Sequence, residues 1–420
     1  MSYYRAVICG RCGRPMETAF YDACPYCQKS DGVNVNYTTT YDLSNAQLPQ
    51  KKDSGGGIYR FRDFFALDTY APVVSIGEGD TPIRRLNGLS SKLGHEFIYM
   101  KDESKNPTMS HKDRMCSIIV SKAAADGAPG VVVASTGNQG ASAAAYCGAA
   151  NIPCVIFTTP NVSPAMKTFM QVYGASVFVT SSMEDRGVIM EKLVRECGFV
   201  PASGLMSPPI GSSCFGVDGY KTIAFEIFEQ MGGEVPDWFI VPVSYGDTLY
   251  GIYKGMSDLK EMKYIDKIPK FVSAEVFGAV ESTLRAKSEL PVAVSSSPSI
   301  QTSIATGYTT YLTVKAIRDS GGVSRISHDH EALEMQQRFA ETDGVYAETA
   351  SVASLVALKK LIRDKMIKRR EKVIVLITST GIKDPDTTNL ILPEIPEISP
   401  TLESFKEKME SRYGRKVGQL

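Results

Sequence analysis

The sequence has no excess of either charge: Lys+Arg and Asp+Glu each count 46 in 420 residues. A phosphate backbone or an anionic membrane surface therefore meets no broad electrostatic footprint, and neither is expected as a partner. No apolar run approaches the roughly 20 residues that a membrane helix needs. The opening stretch MSYYRAVICGRCGRP lacks the apolar core of a secretory signal, so a cytoplasmic protein is expected. Cysteine is sparse in the body of the chain. Cys116, Cys147, Cys154, Cys197 and Cys214 follow no framework spacing, which speaks against a disulfide scaffold and for reduced, mostly buried thiols. The histidines do not form a ligand set either; His328 and His330, in SHDH, read as a solvated loop. No internal repeat is evident.

What remains is an ordinary globular composition, 43% hydrophobic and 22% charged. The length is too great for one core and suggests roughly two to three domains.

Four cysteines cluster at the start. Cys9, Cys12, Cys24 and Cys27 are spaced C-x2-C-x11-C-x2-C. Two such pairs let four thiolates converge on one tetrahedral ion at about 2.3 Å each. The segment holds too few apolar residues to fold by burial, so a metal, zinc by the ligand set, is expected to supply its folding energy. A redox pair is the competing reading, but neither pair sits in a βαβ context. A closed four-thiolate site has no open position and is assigned no catalysis. The following SNAQLPQKKDSGGGIYR, with Lys51, Lys52 and three successive glycines, reads as a linker.

From about residue 71, β-branched runs alternate with helical stretches: GVVVAS then QGASAAAYCGAA, PCVIFTT then SPAMKTFMQVYG, DWFIVPV then TLYGIYKGMSDLKEM, and finally a helix before EKVIVLITS. This alternation implies βαβ units and parallel sheets, whose ligands bind beyond the carboxyl ends of the strands. Three of the loops there are unusual. STGNQGAS (from Ser135) and SYGDTLYG (from Ser244) each open a helix with hydroxyls and backbone N–H groups, a ready anion site; TSTGIKDPD follows the last strand. A fourth stretch, SHKDRM, places Lys112 between a histidine and an Asp-Arg pair at a helix start.

GEGDTPI (77–83), KDESKNPTMSHKDR (101–114), ASTGNQGASAAAY (134–146), DGYKTIAFEI (218–227) and TGIKDPD (380–386) resemble, in order, the threonine synthase group of enzymes dependent on pyridoxal 5′-phosphate (PLP). The likeness runs from about residue 70 to 390, and the cysteine ribbon also resembles that of longer threonine synthases. The resemblance implies the fold-type II architecture (tryptophan synthase β-like): two α/β domains with parallel-type sheets behind a zinc-ribbon-like segment. The expected division is a ribbon over 1–40, a linker over 41–70, a larger PLP-binding domain from 71–111 and 201–397, a smaller domain over 112–200, and a helical tail over 398–420. A homodimer acting on a small amino-acid substrate is implied as well.

By the same resemblance, Lys112 is the catalytic residue and binds the cofactor's aldehyde covalently. Asn138 would hydrogen-bond the cofactor's phenolic oxygen, and Thr378 would face the pyridine nitrogen. Ser244, Tyr245, Gly246, Asp247 and Thr248 would cradle the cofactor phosphate. Ser135, Thr136 and Gln139 would take the substrate carboxylate. His111 stands where relatives carry an aromatic and is expected to pack. Glu348 matches an acidic position near the cofactor ring, with a hydrogen bond to a helix start as its expected task.

Two positions depart from the family pattern. Asp247 places a carboxylate beside a dianion. Gly216 stands where similar threonine synthases carry an arginine that grips the substrate's own phosphate, and Lys221 is expected to help compensate. Threonine synthase is the reading preferred; a threonine/serine ammonia-lyase, a β-replacement enzyme, and a non-enzymatic ribbon module on an inactive fold are the alternatives.

Overall fold

The computed structural model describes residues 2–50, 56–160 and 162–416; Lys51 and Lys52 of the expected linker lie outside them. The ribbon pairs β1 (Tyr4–Cys9) antiparallel with β2 (Tyr37–Tyr41), with the short α1 (Pro25–Asp31) between them.

Two further sheets follow, and their hydrophobic pattern explains both. The strands of the larger one read as near-continuous apolar runs, WFIVP and VIVLI, buried at every position because helices cover both faces. This sheet has the order β11-β10-β9-β12-β4-β3, built from β3 (Ile83–Arg85), β4 (Ile98–Asp102), β9 (Trp238–Pro242), β10 (Lys270–Glu275), β11 (Val323–Ile326) and β12 (Val373–Ile377). All its pairings are parallel except β3 with β4 at the edge. The smaller sheet has the order β7-β6-β5-β8 and is parallel throughout. It comprises β5 (Val131–Ala134), β6 (Cys154–Thr158), β7 (Ser176–Val179) and the two-residue β8 (Val200–Pro201).

The helices in chain order are α2 (Asn87–Leu93), α3 (Lys112–Ala125), α4 (Asn138–Ala150), α5 (Pro164–Val172), α6 (Met183–Cys197), α7 (Cys214–Gln230), α8 (Asp247–Glu261), α9 (Ala279–Arg285), α10 (Tyr311–Asp319), α11 (Asp329–Asp343) and α12 (Thr349–Arg363). Ribbon and sheets belong to one compact unit, Met1–Asp384; Pro385–Leu420 forms a second, with α13 (Pro385–Asn389) and α14 (Leu402–Tyr413). Among the described residues no helix is long and apolar enough to cross a membrane.

Helices α3, α7 and α8 set the frame of the site. A Cβ on Gly219 of α7 would fall 2.1 Å from the Arg114 carbonyl oxygen of α3, so only glycine allows this approach. Across the same junction the Arg114 guanidinium, fully buried, bonds Glu103 at 2.6 and 2.9 Å and Glu226 at 2.6 and 2.8 Å, while Lys101 holds Glu226 at 2.7 Å. Every charge in this cluster has an opposite partner, which is the condition for burying it.

The linker expected over 41–70 is not a spacer throughout. Ile58–Phe64 forms a 3-10 turn, and Phe61, Phe64 and Phe65 are buried. The Phe61 and Phe64 rings pack at a tilt against Phe225 of α7, with centroids at 5.2 and 5.1 Å, and Arg60 bonds Glu229 at 2.7 Å.

Candidate active site

Lys112 is the first residue of α3, and the loop before it is pinned on both sides. The Asp113 carboxylate accepts from the Thr108 N–H at 2.7 Å, from the Thr108 hydroxyl, and from Ser142 of α4 at 2.7 Å. Burial pushes Asp113 up to about 6. The His111 N–H donates to the Thr378 carbonyl at 3.0 Å, and its ring lies 5.6 Å from that of Tyr220. Burial, then the neighbouring Lys112 charge, holds His111 well below the usual histidine range, so it packs as a neutral ring. With Asp113 and Arg114 fixed, the freedom left at this point is in the Lys112 side chain. Burial pushes the Lys112 amine down, and Asp247 and Cys116 draw it part of the way back. A neutral amine is the form that can attack a carbonyl or take a proton.

Opposite it stands the loop into α8. Gly246 has φ 104°, and a Cβ there would fall 1.9 Å from Thr313 Oγ1, so glycine is required twice over. The Tyr245 carbonyl accepts from Thr313 Oγ1 at 2.8 Å and from the Thr310 N–H at 3.3 Å, which fixes Ser244 to Thr248. Gly246 has no side chain with which to cap α8, so the first N–H groups of this 15-residue helix are directed at whatever lies in front of it. The awkward Asp247 carboxylate accepts from the Ser212 N–H at 3.0 Å.

The third wall comes from the strand ends. Asn138 opens α4, and its Nδ2 donates to Glu348 at 2.8 Å. Its Oδ1 accepts from Lys383 Nζ at 2.6 Å and from Ser379 Oγ at 3.2 Å. Thr378, at the end of β12, shares a 2.6 Å hydroxyl bond with Ser351. Lys112, Asn138, Thr378 and the α8 loop are thus brought together, as expected. The carboxylate group is less uniform. Ser135 Oγ accepts from the Gly137 and Gly140 N–H groups, both at 3.1 Å; Gln139 donates to the Ala202 carbonyl; Thr136 is exposed.

Two expectations are corrected. Lys221 is not in this site. Its ammonium lies 3.0 Å from Asp258, 3.6 Å from Asp218 and 3.7 Å from the Tyr41 ring centroid. The reason is helical: Tyr220 faces Lys112, and the next residue is turned about 100° away. Glu348 stands at the N-cap position of α12 without a side-chain capping bond, and its carboxylate reaches Asn138 and Ser303 instead. Lys383 was not singled out from the sequence, although TGIKDPD contains it; a lysine in a loop beyond a strand end was the available signal. Gly216 packs on α3, where a Cβ would lie 2.7 Å from Ile119 and 2.8 Å from Met115.

In the ribbon, the four sulfurs lie within 4.8 Å of one another, with Cys9 to Cys27 at 3.7 Å and Cys12 to Cys24 at 3.8 Å. Four sulfurs placed tetrahedrally at about 2.3 Å from one ion stand about 3.8 Å apart, so the cluster has the geometry of a metal-binding group.

Comparison with known proteins agrees with this chemistry. Residues 74–379 match the family described as pyridoxal-phosphate dependent enzyme. The chain is similar to a threonine synthase of Methanocaldococcus jannaschii, 30% identical over 90% of this chain and 93% of that one. It is also similar to a threonine synthase of Mycobacterium bovis, 32% identical over 82% of this chain and 92% of that one. Among solved structures, a fungal L-serine ammonia-lyase from Rhizomucor miehei shares the fold at TM-score 0.64 and 19% identity, covering 74% of this chain and 97% of that one. The match over residues 74–379 and the similarity over most of both chains establish that the chain belongs to the pyridoxal-phosphate dependent enzyme family, among the threonine synthases.

Proposed function

We propose that this enzyme is a threonine synthase, converting O-phospho-L-homoserine and water into L-threonine and inorganic phosphate. The observation that carries the reading is the similarity to threonine synthases over nearly the whole length of both chains. The donor set fits the cofactor: a primary amine for its aldehyde, an amide for its phenolic oxygen, a hydroxyl for its pyridine nitrogen, and an uncapped helix end for its phosphate. Pyridoxal 5′-phosphate, when bound, supplies an electron sink for the pair left at the substrate's Cα.

The protein's part is to hold, orient and move protons. Lys112 would hold the cofactor and, once released, take the proton from Cα; burial keeps its amine available for both tasks. Ser244, Tyr245, Gly246, Asp247 and Thr248 would bind the cofactor phosphate through backbone N–H groups and the α8 dipole. Asn138 would orient the ring from one side. Thr378 would meet the pyridine nitrogen with a hydroxyl, which leaves that nitrogen largely uncharged and favours elimination over transamination. The Ser135 N–H is taken by the Phe157 carbonyl at 3.0 Å, so Thr136 and the backbone at Gln139 are the donors left for the substrate carboxylate. The ribbon cysteines Cys9, Cys12, Cys24 and Cys27 would hold one structural zinc ion, a reading supported by their sulfur spacing. The division into a larger domain (71–111 with 201–397) and a smaller one (112–200), a homodimeric state and a cytoplasmic location complete the proposal.

One observation favours a second reading. A side chain at Gly216 would have to displace Ile119 and Met115, so the arginine that grips phosphate in similar enzymes has no room here. An ammonia-lyase acting on threonine or serine needs no such grip. Incubation of PLP-loaded protein with O-phospho-L-homoserine and, separately, with L-threonine decides between them. Equal amounts of phosphate and threonine support the first reading; a 2-oxo acid formed from threonine, with phosphohomoserine untouched, supports the second.

A further inference from the structure

Lys383 is buried, and its ammonium joins two parts of the site. It donates to the Thr108 carbonyl at 2.5 Å, in the loop that leads to Lys112, and to Asn138 Oδ1 at 2.6 Å. On the other side of the same amide, Asn138 Nδ2 meets the Glu348 carboxylate at 2.8 Å. An ammonium can only donate and a carboxylate can only accept. The amide is therefore fixed in one sense, with its oxygen toward Lys383 and its nitrogen toward Glu348; the reverse placement would set an NH2 against an ammonium and an oxygen against a carboxylate. Among the described residues Glu348 is the one partner of Nδ2, which leaves the second Nδ2 hydrogen for a ligand.

We infer that Lys383 is a positioning residue, whose ammonium fixes the Asn138 amide so that an Nδ2–H is presented to the ring oxygen of the cofactor held at Lys112. This rests on the cofactor placement proposed above. The carboxylates of Glu348 and Asp113 face the ammonium, and burial lowers its pKa to about 8, which leaves it largely charged at neutral pH. The Phe169 ring lies 5.5 Å from it. Once Lys383 is absent, the amide keeps Glu348 and the Ser379 hydroxyl, which can turn to donate or to accept and so fixes no sense, and the tether to Thr108 is lost.

The test compares full-length wild type, Lys383→Met, Lys383→Arg, Asn138→Ala and the Lys383→Met/Asn138→Ala double variant. Each is depleted of cofactor and titrated with PLP, following visible absorbance. Lys383→Met is expected to weaken PLP binding about tenfold and to shift the visible band, consistent with loss of one charge-assisted bond. Lys383→Arg is expected to recover most of both. On an Asn138→Ala background, Lys383→Met should add less than twofold. Wild-type affinity and band in Lys383→Met, or a full tenfold loss added on top of Asn138→Ala, would overturn the inference. A second readout needs no cofactor: the Asn138 side-chain amide signal in 15N-labelled protein, assigned by its absence in Asn138→Ala. That signal should move in Lys383→Met, or in Lys383→Gln if the methionine variant does not fold; an unmoved signal would also overturn the inference. A wild type that took up no PLP would contradict the proposed function, while the amide signal would still decide the role of Lys383.

Discussion

Thr39 in the ribbon strand β2 donates its hydroxyl to Asp218 of α7 at 2.6 Å. The Tyr41 hydroxyl donates to the same carboxylate, and Lys254 Nζ reaches its other oxygen at 2.6 Å. With Lys221 and Asp258 this makes a buried set of two lysines and two aspartates, roofed by the ribbon. Lys221 therefore serves the seam between ribbon and body.

That set is balanced only when complete. Asp218→Asn would leave two ammonium groups with one carboxylate, and breaking a buried pair in this way costs about 3–5 kcal/mol. Urea unfolding of Asp218→Asn against wild type measures it. A loss below about 1 kcal/mol, the usual worth of a surface pair, would contradict the burial described.

Metal removal should reach beyond the ribbon. Arg11 pairs with Glu289 at 3.0 Å, Asp22 with Arg195 at 2.7 Å, and Asn34 donates to the Pro208 carbonyl at 2.9 Å. Cys214 and Phe215 of α7 share a hydrophobic cluster with three of the ribbon cysteines. Loosening the ribbon uncovers the Asp218 set, so chelator treatment is expected to lower the melting temperature of the catalytic body by several degrees, as a loss of about 1–2 kcal/mol would in a chain of this size. Calorimetry with and without chelator tests this; an unchanged main transition would show that the ribbon is an independent appendage.

Gly216→Ala is expected to destabilise the protein by about 1–3 kcal/mol, since the added methyl meets Ile119 and Met115 closer than 3 Å. Thermal unfolding reads the change. A variant as stable as wild type would mean that the contact yields and that an arginine could be accommodated.

Stability should also depend on Lys383 through pH. Its amine is lowered from 10.5 to about 8 by burial. Between these values the unfolded chain binds the proton and the folded one does not. The contribution to stability is therefore fully present above about 10.5 and is lost as pH falls through 8. Wild type should gain on Lys383→Met by up to roughly 3 kcal/mol as pH rises across that window. Parallel pH profiles for the two proteins would contradict the burial. On this account the charged lysine costs stability at neutral pH in exchange for a fixed Asn138.

How far the sequence was legible varies by residue. The strands β9 and β12 were plain because five consecutive buried apolar residues have few other readings. That the Ser135 and α8 loops are ligand loops followed from the rule that parallel sheets present such loops at strand ends, while the place of Lys112 and Asn138 beside them came from the family resemblance. Ile58–Phe64 was hidden by its flanks: glycines and charges announced a linker, and its rings find partners as distant in sequence as Tyr3 and Phe225. Lys221 was misplaced by one residue of helical rotation. The Glu348 contact with Asn138 spans 210 positions, and no local pattern signals it.

The central claim is that one amine, Lys112, carries the chemistry. Other lysines invite confusion, since Lys101, Lys221 and Lys383 are buried and lie in family-like motifs. Borohydride treatment of the PLP-loaded protein, followed by peptide mapping, locks the pyridoxyl group onto the amine that holds it. The account predicts the label on the peptide containing Lys112, and its loss in a Lys112→Ala variant that keeps the wild-type fold by circular dichroism. A label on Lys383, on Lys221 or on any other lysine would contradict it.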